Sequence, residues 1–169
     1  MEVSDMAKFY TGIGSRKTPK AVLDIMARLA TKLAEDGWTL RSGGASGADS
    51  AFEAGAVEAG GSSEIYLEQH ATTRSMEIAS QFHPAWDRCS PYARRLHGRN
   101  AFQVLGINLN RPSRFVVCWT PDGAVTHSER VRETGGTGTA ISIADHFHVP
   151  VFNLARPDHL KRIGRYLQK

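Results

Sequence analysis

Three glycine-rich stretches, each opening into a helix-forming segment, restrict the fold of this chain more than any other feature. They are GIGSRKTP at 12–19, SGGASGAD at 42–49 and TGGTGTAISIAD at 134–145. Glycine has no Cβ, so it accepts positive φ and lets the backbone approach another group closely. In open α/β sheets such turns lie at the carboxyl ends of strands, where the first N–H groups of the next helix point outward and the helix dipole favours an anion. One such turn is accounted for by chain reversal alone. Three of them predict a shared ligand site.

The intervening sequence has the alternating rhythm that such turns need. Lys8 to Ile13 reads as a strand, and Thr18 can cap a helix with Pro19 at its first position, where the fixed φ and missing donor of proline do no harm. Val22, Met26, Leu29, Ala30 and Leu33 recur at helical spacing, and Gly37 stops that helix. Trp38 to Arg41 forms a second strand, and the next glycine turn leads into a helix through Ala51, Phe52 and Ala56 that ends at Gly60 and Gly61. Glu64 to Leu67 reads as a third strand. Arg74 to Phe82 and Tyr92 to Leu109 read as helices, interrupted by Pro84 and Pro91. Arg114 to Trp119 has the β-branched and aromatic content of a central parallel strand. Pro121 to Glu133 reads as a loop or short hairpin, Thr137 to Phe147 as a helix, Val149 to Leu154 as a last strand and Pro157 to Leu167 as a closing helix. The expected class is α/β: one Rossmann-like domain over 1–169, with a mainly parallel sheet and helices on both faces.

Composition narrows the setting. The 169 residues suit one domain with a sizeable core. The N-terminal MEVSDMAKFY has acids where a secretory signal carries an apolar region, and the apolar runs are short, so the expectation is a cytoplasmic protein without a membrane partner. Cys89 and Cys118 have no partner spacing and are expected to be free thiols. The seven histidines fall in no recognisable ligand motif, so no metal is expected. The net charge of +4 favours anionic partners, and arginines crowd the middle at Arg88, Arg94, Arg95, Arg99, Arg111 and Arg114.

The candidate site follows from the turns. Gly14, Ser15 and Arg16 offer backbone, a hydroxyl and a bidentate fork to a phosphate or carboxylate. Arg41, Ser42, Gly43, Gly44 and Gly47 belong to the second turn. Asp49 is either a favourable first-turn acid or a group for a ribose hydroxyl or for catalysis. Thr134, Gly135, Gly136, Thr137, Gly138 and Thr139 supply the third turn. Arg99 and Asn100, with Gln103 a turn further on, either contact the ligand or belong to a surface helix with Phe102, Leu105 and Leu109 inward. Trp86 and Tyr92 are stacking candidates for a base, against the commoner role of core aromatics.

GIGSRKTP, LRSGGASGADSAFEAGA at 40–56 and TGGTGTAISIA at 134–144 together resemble the DprA/Smf and YpsA-like branch of the SLOG superfamily, which also contains the LOG phosphoribohydrolases. The resemblance covers most of the chain in order. It implies a Rossmann-like fold that binds a nucleotide, a nucleotide-derived signal or nucleic acid, with no separate cofactor, often as a homo-oligomer; DprA-like members bind single-stranded DNA. Small versions are similar to proteins of phages and mobile elements. The LOG pattern PGGxGTxxE laid over 134–142 meets Thr134 in place of proline and Ser142 in place of the glutamate that supports catalysis. A glycosidic cleavage would need another carboxylate, for which Asp49 and Glu53 are the candidates and Glu133 is also available. Three readings follow: a nucleotide-binding module, an N-glycosidic hydrolase or transferase, and a single-stranded DNA binder.

Overall fold

The computed structural model describes residues 8–169; the acidic N-terminal stretch read above lies mostly outside them. Among the described residues five parallel strands form one sheet: β1 (Phe9–Gly12), β2 (Thr39–Gly43), β3 (Ser63–Tyr66), β4 (Val116–Cys118) and β5 (Val151–Asn153). Their order is β3-β2-β1-β4-β5. Tyr10 stands opposite Leu40, and Thr11 stands opposite both Arg41 and Val116. The chain builds outward from β1 to β3 and then returns to the other side of β1. The point where the direction reverses therefore lies between β1 and β4, the place where open α/β sheets hold their ligands.

Among the described residues six helices cover the sheet: α1 (Lys20–Glu35), α2 (Ala48–Glu58), α3 (Thr73–Ser80), α4 (Pro91–Leu105), α5 (Thr137–His146) and α6 (Pro157–Leu167). Successive strand side chains alternate between faces. Tyr10, Leu40 and Val117 accordingly join Met26, Leu29 and Leu33 of α1, Phe52 of α2 and Ile163 of α6 in one apolar layer. Val116 and Cys118 join Phe102 and Leu105 of α4 and Ile141 and Ile143 of α5 in the other. The result is the α/β arrangement of a Rossmann-like fold. Among the described residues no helix is long and apolar enough to cross a membrane.

Several boundaries differ from those read in the sequence, for identifiable reasons. Pro19 rather than Thr18 occupies the cap of α1, and the Thr18 hydroxyl turns back to donate to Ser15 O at 2.5 Å. Pro91 starts α4 instead of interrupting it: Ser90 caps the helix by accepting from Ala93 N–H, and proline is tolerated at the first position. α4 stops at Leu105 rather than Leu109, because Gly106 takes φ +78°. Cys89 is half-buried and Cys118 buried, and both are free thiols.

Candidate functional site

A cleft of about 450 Å³ opens at the reversal point. Its floor comes from the first turn, Ile13 to Lys17, and its wall from one face of α4, on which Leu96, Arg99, Asn100 and Gln103 recur at helical spacing. The third turn, Arg132 to Thr137, forms the opposite rim, and Asp49 at the start of α2 closes the inner end.

The structure thus brings Gly14, Ser15, Arg16, Asp49, Arg99, Asn100, Thr134, Gly135, Gly136 and Thr137 to one lining. The other candidates stand elsewhere. Arg41 is buried within β2, where Nε pairs with Glu64 at 3.2 Å and a terminal nitrogen donates to Arg111 O at 2.6 Å. The positive φ of Gly106 goes with this arrangement, since a Cβ there would come within 2.6 Å of the Arg41 guanidinium. Ser42 is buried and donates to Gly12 O. Gly43 supports the cleft from behind, because a Cβ on it would lie 2.6 Å from Gln103 Nε2 and 2.7 Å from Asp49 Oδ2. A Cβ on Gly44 would meet Leu67 instead. Gly47 caps α2 with φ +87° and lies against the Arg16 backbone. Gly138 is packed against Arg130, and Thr139 is fully buried beside His97. Glu53, one turn beyond Asp49 on α2, does not reach the lining.

The hydroxyl of Thr134 is already committed: it donates to Asp122 Oδ2 at 2.6 Å and accepts from Val131 N–H. It shapes the turn. Gly135, with φ +72°, and Gly136 are exposed, and a Cβ on Gly136 would meet nothing within 4 Å. Asn100 donates through Nδ2 to Gly136 O at 3.0 Å, latching the turn to α4.

The electrostatics favour an anion. Arg16, Lys17, Arg99 and Arg132 contribute four cations to a lining that holds two carboxylates, Asp49 and Glu133. Among the described residues, Arg99 Nε and Gln103 Oε1 are two of the few buried side-chain atoms without a hydrogen-bond partner. Unpaired buried polar groups are uncommon and mark places where a ligand can supply the partner. Asp49 is 3 % exposed, and burial raises its carboxyl to about 6 despite the nearby Arg99 and the hydrogen bond from Ala45 N–H.

This shift has a measurable consequence for stability. A carboxyl whose pKa is higher folded than unfolded binds its proton more tightly in the native state. Its stabilising contribution is complete below the ordinary value of 3.8 and is lost as pH rises to about 6. Two pKa units correspond to roughly 3 kcal/mol. Asp49→Asn should therefore gain stability relative to the native chain by about that amount between pH 4 and pH 7, measured as the difference between the two denaturant midpoints. The difference is the informative quantity, because His97 is lowered to about 4, mainly by burial, and has the opposite pH dependence. A difference that does not change with pH would contradict the assignment.

The position where LOG enzymes carry glutamate holds Ser142, which is fully buried and hydrogen-bonded to His127 Nδ1 at 2.8 Å and to Arg130 at 3.0 Å. The aromatic candidates lie outside the cleft. The guanidinium of Arg94 sits over Trp86, and that of Arg95 over the exposed Tyr92. Trp86 packs beside His83 and His97, which together with Cys89 place their donor atoms within 4.8 Å of one another. Sequence reading missed this group, since its spacings of six and eight residues match no ligand motif.

Residues 2–71 match the family model described as DNA recombination-mediator protein A. No curated protein and no solved structure matches the chain.

Proposed function

From the premise that the β1–β3 part of the chain carries the DprA-like domain of the DNA recombination-mediator family, we propose that the protein binds a nucleotide or nucleotide-derived ligand, with its phosphate on the glycine turns beside Arg16 and Arg99. The observation that carries this reading is the convergence of turn one, turn three and the under-satisfied Arg99 on one cleft at the topological reversal point. Exposed glycine backbone admits the phosphate, and the cations offset its charge.

The test is thermal stabilisation by a panel of nucleoside mono- and diphosphates, cyclic dinucleotides and ADP-ribose derivatives. A ligand at about 100 times its Kd should stabilise the protein by about 2.7 kcal/mol. Gly136→Val supplies the matched control. Its Cβ points into open space and its φ of −61° suits any residue, so the fold should hold while ligand stabilisation falls by more than half. Absence of stabilisation across the panel, or full stabilisation of Gly136→Val, would count against this cradle.

A second reading, favoured by the family description and by the exposed Arg16, Lys17 and Arg132 at the rim, is that the phosphate belongs to single-stranded DNA. Affinity for an oligonucleotide should then fall steeply with salt through counterion release, by a slope of about −0.7 per phosphate neutralised. A flat salt response excludes it. Hydrolysis of an N-glycosidic bond would have to use Asp49 or Glu133, because Ser142 has no carboxylate and Glu53 is off the lining.

A further inference from the structure

His83, Cys89 and His97 lie within a fifteen-residue segment that folds back on itself through the single 3₁₀ turn Trp86–Arg88 and the first turns of α4. We propose that these three side chains form a binding site for a divalent transition-metal ion of the zinc class, beside the glycine-turn cleft, whose lining also includes His97.

The donor set and its spacing carry the proposal. Two imidazoles and a thiolate are ligands that zinc and cobalt prefer. Cys89 Sγ stands 3.6 Å from His83 Nε2 and 3.8 Å from His83 Nδ1, and the imidazoles of His83 and His97 lie 4.4 Å apart, centre to centre. Around a tetrahedral zinc ion a sulfur and a nitrogen ligand stand roughly 3.6 Å apart, given the usual bond lengths. One edge of a coordination tetrahedron is therefore already in place, and the donor of His97 lies within 4.8 Å of the other two.

The surroundings suit the same role. His97 Nδ1 is paired with the Thr139 hydroxyl at 3.0 Å, and that hydroxyl also accepts from Arg130. With the ring proton on Nδ1 this hydroxyl accepts from it and Nε2 is free to coordinate a metal, the outer-shell support that ligand histidines commonly have. His83 Nδ1 accepts from Ala85 N–H at 3.0 Å, a bond that coordination through either nitrogen gives up. Coordination through Nδ1 uses the lone pair, and coordination through Nε2 moves the proton to Nδ1. One hydrogen bond is exchanged for a metal–ligand bond. Arg130 and, after it, Arg99 are opposing charges near His97, but the nitrogens of Arg130 are held by Phe82 O, Ser142 Oγ and Thr139 Oγ1, and the thiolate formed on binding offsets them.

Three protein ligands leave a fourth position for water or a ligand atom. His83 and His97 both border a second cavity, of about 780 Å³, which shares Arg132, Gly135, Gly136 and His97 with the first cleft. That cavity gives access to His83 and His97 from the side of the third glycine turn.

Cobalt titrated into the metal-free full chain, followed by absorption, tests the proposal. The expected result is one equivalent bound per chain, with the intense near-ultraviolet band of a thiolate–cobalt bond and the visible bands of a tetrahedral ion. Cys89→Ser should abolish the near-ultraviolet band, whereas Cys118→Ser should keep it, because Cys118 is sealed inside the sheet. His83→Ala and His97→Ala should each weaken cobalt binding by more than the roughly 10- to 100-fold typical of losing an outer-shell partner. Circular dichroism of each variant separates loss of a ligand from loss of the fold, and Cys89→Ser changes one atom off the sheet. Absence of the thiolate band in the native chain, or its persistence in Cys89→Ser, overturns the proposal.

Discussion

Arg99→Met is expected to weaken binding of the most stabilising nucleotide by about 30-fold or more, with little change in the melting temperature of the ligand-free protein. Truncating one partner of a desolvated, hydrogen-bonded charge pair costs about 2–5 kcal/mol, and each 1.4 kcal/mol is tenfold in affinity. Arg99 meets the condition on its side, because its Nε is buried without a partner and the side chain points past Gly43 towards Asp49. The small effect on the free protein follows from the same geometry. Removing the guanidinium ends an unsatisfied donor, but it also removes the largest charge that holds Asp49 down. The native carboxyl should consequently titrate at a higher pH in Arg99→Met. Isothermal titration gives the affinity, and the pH dependence of the free variant gives the Asp49 shift. Binding within threefold of the native value would remove Arg99 from the phosphate site.

Gly55→Val should destabilise the protein more than any other single glycine replacement outside the cleft. An ideal Cβ at Gly55 would lie 2.2 Å from Ala27 O and 2.9 Å from Ala30 Cβ, so α1 and α2 are in backbone contact there. Overpacking of a tight core commonly costs about 1–3 kcal/mol, and here the obstacle is a carbonyl fixed within a helix rather than the end of a flexible side chain. A loss of about 3 kcal/mol or more is expected, which for a chain of this size lowers Tm by roughly 6–12 °C. Gly164→Ala on α6 is the matched control. A Cβ there meets nothing within 4 Å, and the helix gains by losing glycine, by about 0.5–1 kcal/mol. Equal melting temperatures for Gly55→Val and the native chain would mean that the α1–α2 contact is looser than described.

What could be read in the sequence depended on whether a signal lay in local periodicity or in tertiary direction. α6 was legible to the residue, because its apolar face is regular and Pro157 marks its first turn. α4 was read four residues too long, since Phe102, Leu105 and Leu109 continue the apolar spacing through Gly106. Only the positive φ at Gly106 and Leu109 shows that the chain has left the helix. The glycine turns were visible as backbone, but turn composition says nothing about where neighbouring side chains go. Arg41 and Ser42 illustrate this, one running beneath the end of α4 and the other bonding across to β1. Asp49 and Glu53 looked equivalent in sequence, and the helix directs only the first into the cleft. The histidine–cysteine group was invisible because its spacing is produced by a turn between two prolines rather than by a helix or strand period.

The strand order has a consequence for how the chain becomes competent as it is synthesised. The segment through β3 emerges first and can pair three strands and pack α1 against α2, yet it leaves one side of β1 as an open edge. The wall and far rim of the cleft arrive only with α4 and the third turn, and β4 must slide in beside β1 before they are aligned. A nascent chain halted after β3 would carry the first two glycine turns but have no cavity beside them, so the cleft is completed by the second half of the chain.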